Sequence, residues 1–142
     1  MISVITPTFN SSNCIHRLHS SLKSQTEKDF EWIVVDDGSK DNTLDILSKL
    51  SPPGHGGMFV YQMPFNSGGG IAGSVGVIKS SGSITTIIDH DDELVPSALS
   101  TIKDYFKKIE DKNEVAIVLF PSIQPDSGKQ ISSLEAGEIF KI

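Results

Sequence analysis

Four residues in succession, Asp89-His90-Asp91-Asp92, follow the apolar stretch Ile84-Thr85-Thr86-Ile87-Ile88. Three carboxylates on four residues repel one another, so a strand ending in them is best stabilised by a divalent cation that is itself bound to something anionic. That is the pattern of a metal-dependent site. Other polar clusters follow other apolar runs: Thr6-Pro7-Thr8-Phe9-Asn10, Asp36-Asp37, and residues 66–70. Ligands of open α/β sheets bind outside the carboxyl ends of the strands, so all four clusters are expected to face one crevice.

The elements that must position these residues alternate along the chain. Residues 1–5 form a short β-rich run closed by Thr6-Pro7, after which Ser11, Ser12 or Asn13 is placed to cap a helix with Ile15, Leu18 and Leu22 on one face. Trp32, Ile33, Val34 and Val35 are too continuously apolar for a surface ribbon, so residues 30–35 belong inside a parallel sheet. A second helix begins near Asp41, turns Leu44, Ile46, Leu47 and Leu50 inward, and is broken by Pro52-Pro53-Gly54. A strand over 59–63, a glycine-rich helix over 69–79 and a strand over 83–88 follow. Pro96 starts a further helix, with Leu99, Ile102, Phe106 and Ile109 at helical spacing, and residues 115–120 supply a last buried strand before Pro121. From Ser122 the pattern weakens. With no repeat or linker, the expected organisation is one βαβαβαβαβ unit, an α/β fold with a mostly parallel sheet flanked by helices, over a single domain of residues 1–142.

Composition narrows the function. The 142 residues suffice for one core, and the 37% of hydrophobic residues is spread along the chain, which implies a soluble globule. No apolar run is long enough to cross a bilayer, and the N-terminus lacks the basic flank and apolar stretch of a leader. A single cysteine, Cys14, cannot form an internal disulfide, so the cytoplasm is the expected compartment. A net charge of -6 argues against nucleic acid as a partner and leaves any anionic ligand to a metal or to backbone amides.

Five blocks, in order, resemble the family 2 glycosyltransferases of the GT-A fold. Val4-Ile5-Thr6-Pro7-Thr8-Phe9-Asn10 looks like that family's first strand and turn, and Ser24-Gln25-Thr26 like the end of its first helix. Trp32-Ile33-Val34-Val35-Asp36-Asp37-Gly38-Ser39 is similar to its most recognisable motif. Asn66, Gly68, Ala72 and Gly76 keep the spacing of its glycine-containing helix, and Asp89-His90-Asp91-Asp92 looks like its DxD metal motif. The likeness covers about residues 1–110, leaving 111–142 as a last strand and part of an acceptor-side region.

The resemblance implies a nucleotide-diphosphate sugar donor, a Mg2+ or Mn2+ ion that neutralises the leaving diphosphate, and inverting transfer to a glycan or lipid-linked acceptor in cell-envelope or polysaccharide synthesis. By the same carry-over Asp91 is the metal ligand, and Asp89 contacts the metal or the ribose. Asp37 accepts a hydrogen bond from the base, which suits the imide N–H of a UDP-type donor, with Asp36 nearby. Thr6, Pro7 and Thr8 wall the base pocket, and Asn10, Asn66 and Gly68 complete the donor site. The work is expected in the cytoplasm, at the inner membrane face for a lipid-linked acceptor. Family members continue well beyond the DxD strand, so the chain is expected to be the donor-binding part of a longer enzyme whose general base lies elsewhere.

Structural readings stand beside these. Asp-Gly after a strand is a common turn, Asp41 or Asn42 can cap the next helix, and the acidic run can be a solvated loop before the Pro96 helix. His90 would point away from its neighbours, and Cys14, His16, His19 and His55 show no metal or triad spacing. Two rival functions remain. One is nucleotide-sugar binding without turnover. The other is an NAD-type dinucleotide site, because Gly68-Gly69-Gly70-Ile71-Ala72-Gly73 matches G-x-G-x-x-G. The helix also departs from the family's usual Ala-Arg-Asn, reading Ala72-Gly73-Ser74.

Overall fold

A computed structural model describes residues 1–108, 116–119 and 138–141. Their elements run β1 (Ile2–Thr8), α1 (Ile15–Lys23), β2 (Phe30–Asp36), α2 (Thr43–Lys49), β3 (Met58–Gln62), α3 (Gly69–Lys79), β4 (Ile84–Ile87), α4 (Ala98–Lys107), β5 (Ala116–Leu119) and β6 (Glu138–Lys141). Residue contacts divide the chain into two compact units, Met1–Lys103 and Asp104–Ile142, whereas the sequence pattern reads as one domain.

In the first unit four parallel strands lie in the order β3-β2-β1-β4. Alternate residues of β1 and β2 enter different layers. Ile2, Val4, Trp32 and Val34 pack with Ile15, Leu18 and Leu22 of α1, Leu47 of α2 and Leu99 of α4. Ile5, Ile33 and Val35 pack on the other face with Ala72 of α3. Burial on both faces is why these strands read as continuous apolar runs. Strand β3 lies at an edge, where Phe59 and Val60 are exposed.

Buried polar groups secure the amino end of this sheet. Glu31 accepts hydrogen bonds from Ser3 Oγ (2.6 Å), the Ser81 amide (2.7 Å) and Ser81 Oγ (3.0 Å), while Ser3 Oγ accepts the Gly82 amide. Burial alone raises the Glu31 pKa, but these donors outweigh it and hold the carboxyl below its ordinary value.

Several expectations need correction. Strand β5 does not join the parallel sheet: it pairs antiparallel with β6 in a separate two-stranded sheet. A four-residue apolar run specifies a strand but not its partner, and β6 carries no comparable apolar signal in the sequence. Helix α1 is not capped by the side chain of Ser11, Ser12 or Asn13. Its N-cap is Cys14, and the Ser11 carbonyl accepts the amides of Cys14 and Ile15. Ile109, Phe120 and Pro121 fall outside the described residues.

The dinucleotide reading fails on topology. That fingerprint needs the strand before the glycine-rich helix and the strand bearing the ribose acid to be close neighbours. Here they are β3 and β4, at opposite edges of the sheet.

Helix α3 lies close to β1 through its glycines. A Cβ on Gly76 would meet Cγ2 of fully buried, β-branched Ile5 at 2.3 Å, whereas one on Gly73 would meet only Ile87 Cδ1 at an ordinary 3.6 Å. Gly76→Ala should therefore destabilise the chain by about 1–3 kcal/mol through overpacking. Gly73→Ala should be neutral or stabilising by up to about 1 kcal/mol through helix propensity. Urea unfolding of the two variants measures the contrast.

Candidate functional site

The sheet order makes β1 the topological switch point, since β2 and β3 are added on one side and β4 on the other. A crevice for a ligand is expected where the chain leaves such strands at their carboxyl ends. All of the polar clusters picked out in the sequence follow those ends.

Beyond β2, the Asp37 amide donates to the Thr8 carbonyl (2.8 Å), which carries the β1–β2 pairing one residue past the strand. Side-chain alternation then sends Asp36 toward the α1 layer and Asp37 toward the α3 layer. The Asp37 carboxylate accepts the Ser67 amide at Oδ1 (2.8 Å) and the Gly68 amide at Oδ2 (2.7 Å). It therefore ties the end of β2 to the loop that begins α3, and the residue is 2% exposed. Gly38 permits this approach: its φ is +76°, and a Cβ would come within 2.9 Å of the Phe65 backbone. Asn66 is exposed and its Oδ1 also accepts the Gly68 amide (3.2 Å), while Gly68, at φ +94°, opens onto free space.

Asp36 is different. It has no exposed surface, its Oδ2 accepts the Ser39 amide (3.1 Å), and its Oδ1 is buried without a hydrogen-bond partner among the described residues. Its visible work is on the turn. The same holds for the threonines of β1. Thr6 is fully buried and its Oγ1 accepts Trp32 Nε1–H (3.0 Å), so it faces the core instead of walling a pocket. Thr8 is 2% exposed and shares a hydrogen bond with the Ser11 hydroxyl, and Pro7 is also buried. Asn10, at φ +50°, is exposed, but its amide donates to Ser39 Oγ (2.9 Å) and its Oδ1 accepts the Lys40 amide (2.8 Å).

Asp41 joins these two turns. Its Oδ1 accepts Thr43 Oγ1–H (2.5 Å) and the Thr43 amide (3.0 Å), its Oδ2 accepts the Ser12 amide (3.1 Å), and Thr43 Oγ1 accepts the Ser11 amide. Burial pushes the Asp41 carboxyl up, yet the Thr43 and Ser12 donors prevail and hold it at about 2.

The acidic turn continues β4 beside β1. The Ile88 amide donates to the Ile5 carbonyl (2.9 Å), His90 Nδ1–H donates to the Pro7 carbonyl (3.3 Å), and the Asp92 amide closes the turn on the Asp89 carbonyl (3.1 Å). Asp89, Asp91 and Asp92 are exposed. The Asp92 carboxyl is raised first by partial burial and then by the charges of Asp89 and Asp91, as crowded carboxylates require. No cage of three or more metal-ligating side chains occurs among the described residues. Hard oxygen donors on one exposed turn nonetheless fit Mg2+ or Mn2+, which are commonly held by one or two carboxylates together with substrate phosphates.

Ser24-Gln25-Thr26 directly follows α1. Gln25 is 1% exposed; its Nε2 donates to the Ser21 and Val95 carbonyls, and its Oε1 accepts the Leu99 amide. The Thr26 amide donates to the Pro96 carbonyl. This pair anchors the segment that follows the acidic turn to the end of α1. Burial of Gln25 was not legible locally, because it lies in the polar run Lys23-Ser24-Gln25-Thr26-Glu27.

Fold and site together define an α/β domain of the GT-A type, with a carboxylate at the end of β2 and an acidic turn after β4. The chain matches the glycosyl transferase family 2 profile over residues 3–139 and belongs to that family. It is 34% identical over 101 residues to GalNAc(5)-diNAcBac-PP-undecaprenol beta-1,3-glucosyltransferase of Campylobacter jejuni, covering 71% of this chain and 33% of that protein. It is 36% identical over 112 residues to poly(ribitol-phosphate) beta-N-acetylglucosaminyltransferase TarP of Staphylococcus aureus, covering 75% and 33%. The crystal structure of S. aureus TarS in complex with UDP-GlcNAc superposes with a TM-score of 0.76 at 28% identity, over 90% of this chain and 36% of that one. The chain thus spans about a third of the length of each of these relatives.

The Asp41 network has a testable acid signature. With a folded pKa depressed to about 2, its stabilisation is complete above the unfolded value of about 4 and is lost as the pH falls through the folded one. Asp41→Asn should be less stable than the native sequence at pH 7, with a gap that closes between about pH 4 and pH 2. Urea midpoints across that range measure it.

Proposed function

We propose that this chain is the donor-binding part of a metal-dependent, inverting glycosyltransferase that uses a UDP-type sugar donor. One observation carries the reading. Asp37 and the acidic turn stand at the same end of the sheet, beyond β2 and β4, with β1 between them. Two strand spacings make about 10 Å, a separation that a nucleoside diphosphate bridges from base to phosphates.

In this reading Asp37 accepts the imide N–H of the base while its other bonds hold Ser67 and Gly68 in place. Asn66, Gly68 and the exposed Asn10 complete the nucleoside side. Asp91 and Asp89 would hold Mg2+ or Mn2+ at the acidic turn. When bound, that ion offsets the charge developing on the leaving group. The acceptor hydroxyl oxygen bonds to the anomeric carbon as the bond to the diphosphate oxygen breaks in line, and the hydroxyl proton passes to a general base. The acceptor proposed is a glycan or lipid-linked glycan of the cell envelope; of the two relatives, one is named for an undecaprenol-linked glycan and the other for poly(ribitol-phosphate). The proposed setting is the cytoplasm, at the inner membrane face where the acceptor is lipid-linked. No helix among the described residues is long and apolar enough to cross a membrane.

Ligand-dependent melting tests the proposal. UDP with Mn2+ should raise the melting temperature, by an amount equivalent to about 2.7 kcal/mol at a hundredfold excess over Kd, and NAD should not. Asp91→Asn should remove the metal-dependent part of the shift. A shift with NAD alone, or a UDP shift indifferent to both Mn2+ and Asp91, would overturn the reading.

A further inference from the structure

The acidic turn has a cation beside it that neither the family motif nor the proposed chemistry uses. Arg17, on α1, donates from Nη2 to the Asp91 carbonyl at 3.1 Å, and its Nη1 lies 3.7 Å from Glu93 Oε1. The guanidinium therefore grips the backbone of Asp91 and leaves that residue's carboxylate free. The turn also approaches the start of α1, where the Cys14 thiol is raised by burial and next by the Asp91 charge. Four acidic residues, Asp89, Asp91, Asp92 and Glu93, fall within five positions. Their mutual repulsion favours opening the turn whenever no cation is bound. Neutral bonds secure its flanks, through His90 to the Pro7 carbonyl and through Gln25 to the Val95 carbonyl. At the crowded centre the contact is the charged one from Arg17. A planar guanidinium fork suits a carbonyl and a carboxylate at once, whereas an ammonium acts as a point charge.

We propose that Arg17 is a positioning residue that holds the Asp91 backbone so that the carboxylates of Asp89 and Asp91 are preorganised for a divalent cation. This rests on the metal site proposed above. Arg17 touches neither the cation nor the nucleotide. Its own positive charge opposes cation binding, so the sign of its effect separates preorganisation from simple electrostatics. Removing a merely nearby charge would strengthen metal binding. Removing a positioning group weakens it.

Calorimetric titration of UDP into the whole chain, with and without Mn2+, tests this for the native sequence, Arg17→Ala and Arg17→Lys. In the native chain Mn2+ should increase UDP affinity. In Arg17→Ala that gain should fall by about three- to tenfold, as expected for a half-exposed charged hydrogen bond, with metal-free UDP affinity and ligand-free melting temperature unchanged. Arg17→Lys should show an intermediate gain, and it carries the test alone if the alanine variant does not fold. An undiminished or enlarged gain in the variants overturns the proposal, as does an equal loss of affinity with and without Mn2+. A native chain with no Mn2+ gain at all overturns the metal reading itself, and this inference with it.

Discussion

Strand β1 is the constraint on which the rest depends. It pairs with β2 along all seven residues, with β4 along four, and is buried on both faces from Ile2 to Thr8. A strand enclosed on four sides has one permitted register, because a one-residue slip would exchange the layers that its side chains enter. Its carboxyl end is then the place where the chain can open a polar crevice without leaving backbone groups unpaired. Every cluster of the candidate site hangs from that end: Asp37 through the Thr8 carbonyl, the acidic turn through the Ile5 and Pro7 carbonyls.

Buried polar groups mark both ends of the sheet, and they behave differently. At the amino end, Glu31 and Ser3 are saturated by donors from residues 81–82, which is a structural solution to a buried carboxylate. At the carboxyl end, Asp36 keeps an unpaired oxygen, Asp37 spends its carboxylate on two loop amides, and the carboxylates of the acidic turn crowd each other in solvent. The amino end is arranged for stability. The carboxyl end gathers carboxylates with fewer compensating donors among the described residues.

Much of the fold is legible from residue order. The apolar runs of β1 and β2, the helical spacing of Ile15, Leu18 and Leu22, and the position of polar residues just after strands all follow from side-chain periodicity and burial. The pairing of β5 with β6 is not legible, because short apolar segments state their type but not their partner. The site divides in the same way. Asn66, Asp89 and Asp91 are exposed at the carboxyl end of the sheet, whereas Thr6, Asp36 and Asp37 are buried there. No local pattern separates Asp37, which ties β2 to the loop before α3, from Asp36, which braces its own turn, since the difference is one step of strand alternation.

The sequence by itself determined the chemistry: which residues carry charge, which runs must be buried, and that acidic groups follow strands, all of which depend only on side-chain type and spacing. Tertiary structure alone decided proximity. Asp37 and Asp91 are far apart in the chain and come to the same end of the sheet because β2 and β4 flank β1 in parallel, and Arg17 meets Asp91 because α1 packs where that turn emerges. Such encounters depend on long-range strand pairing, which local sequence does not encode.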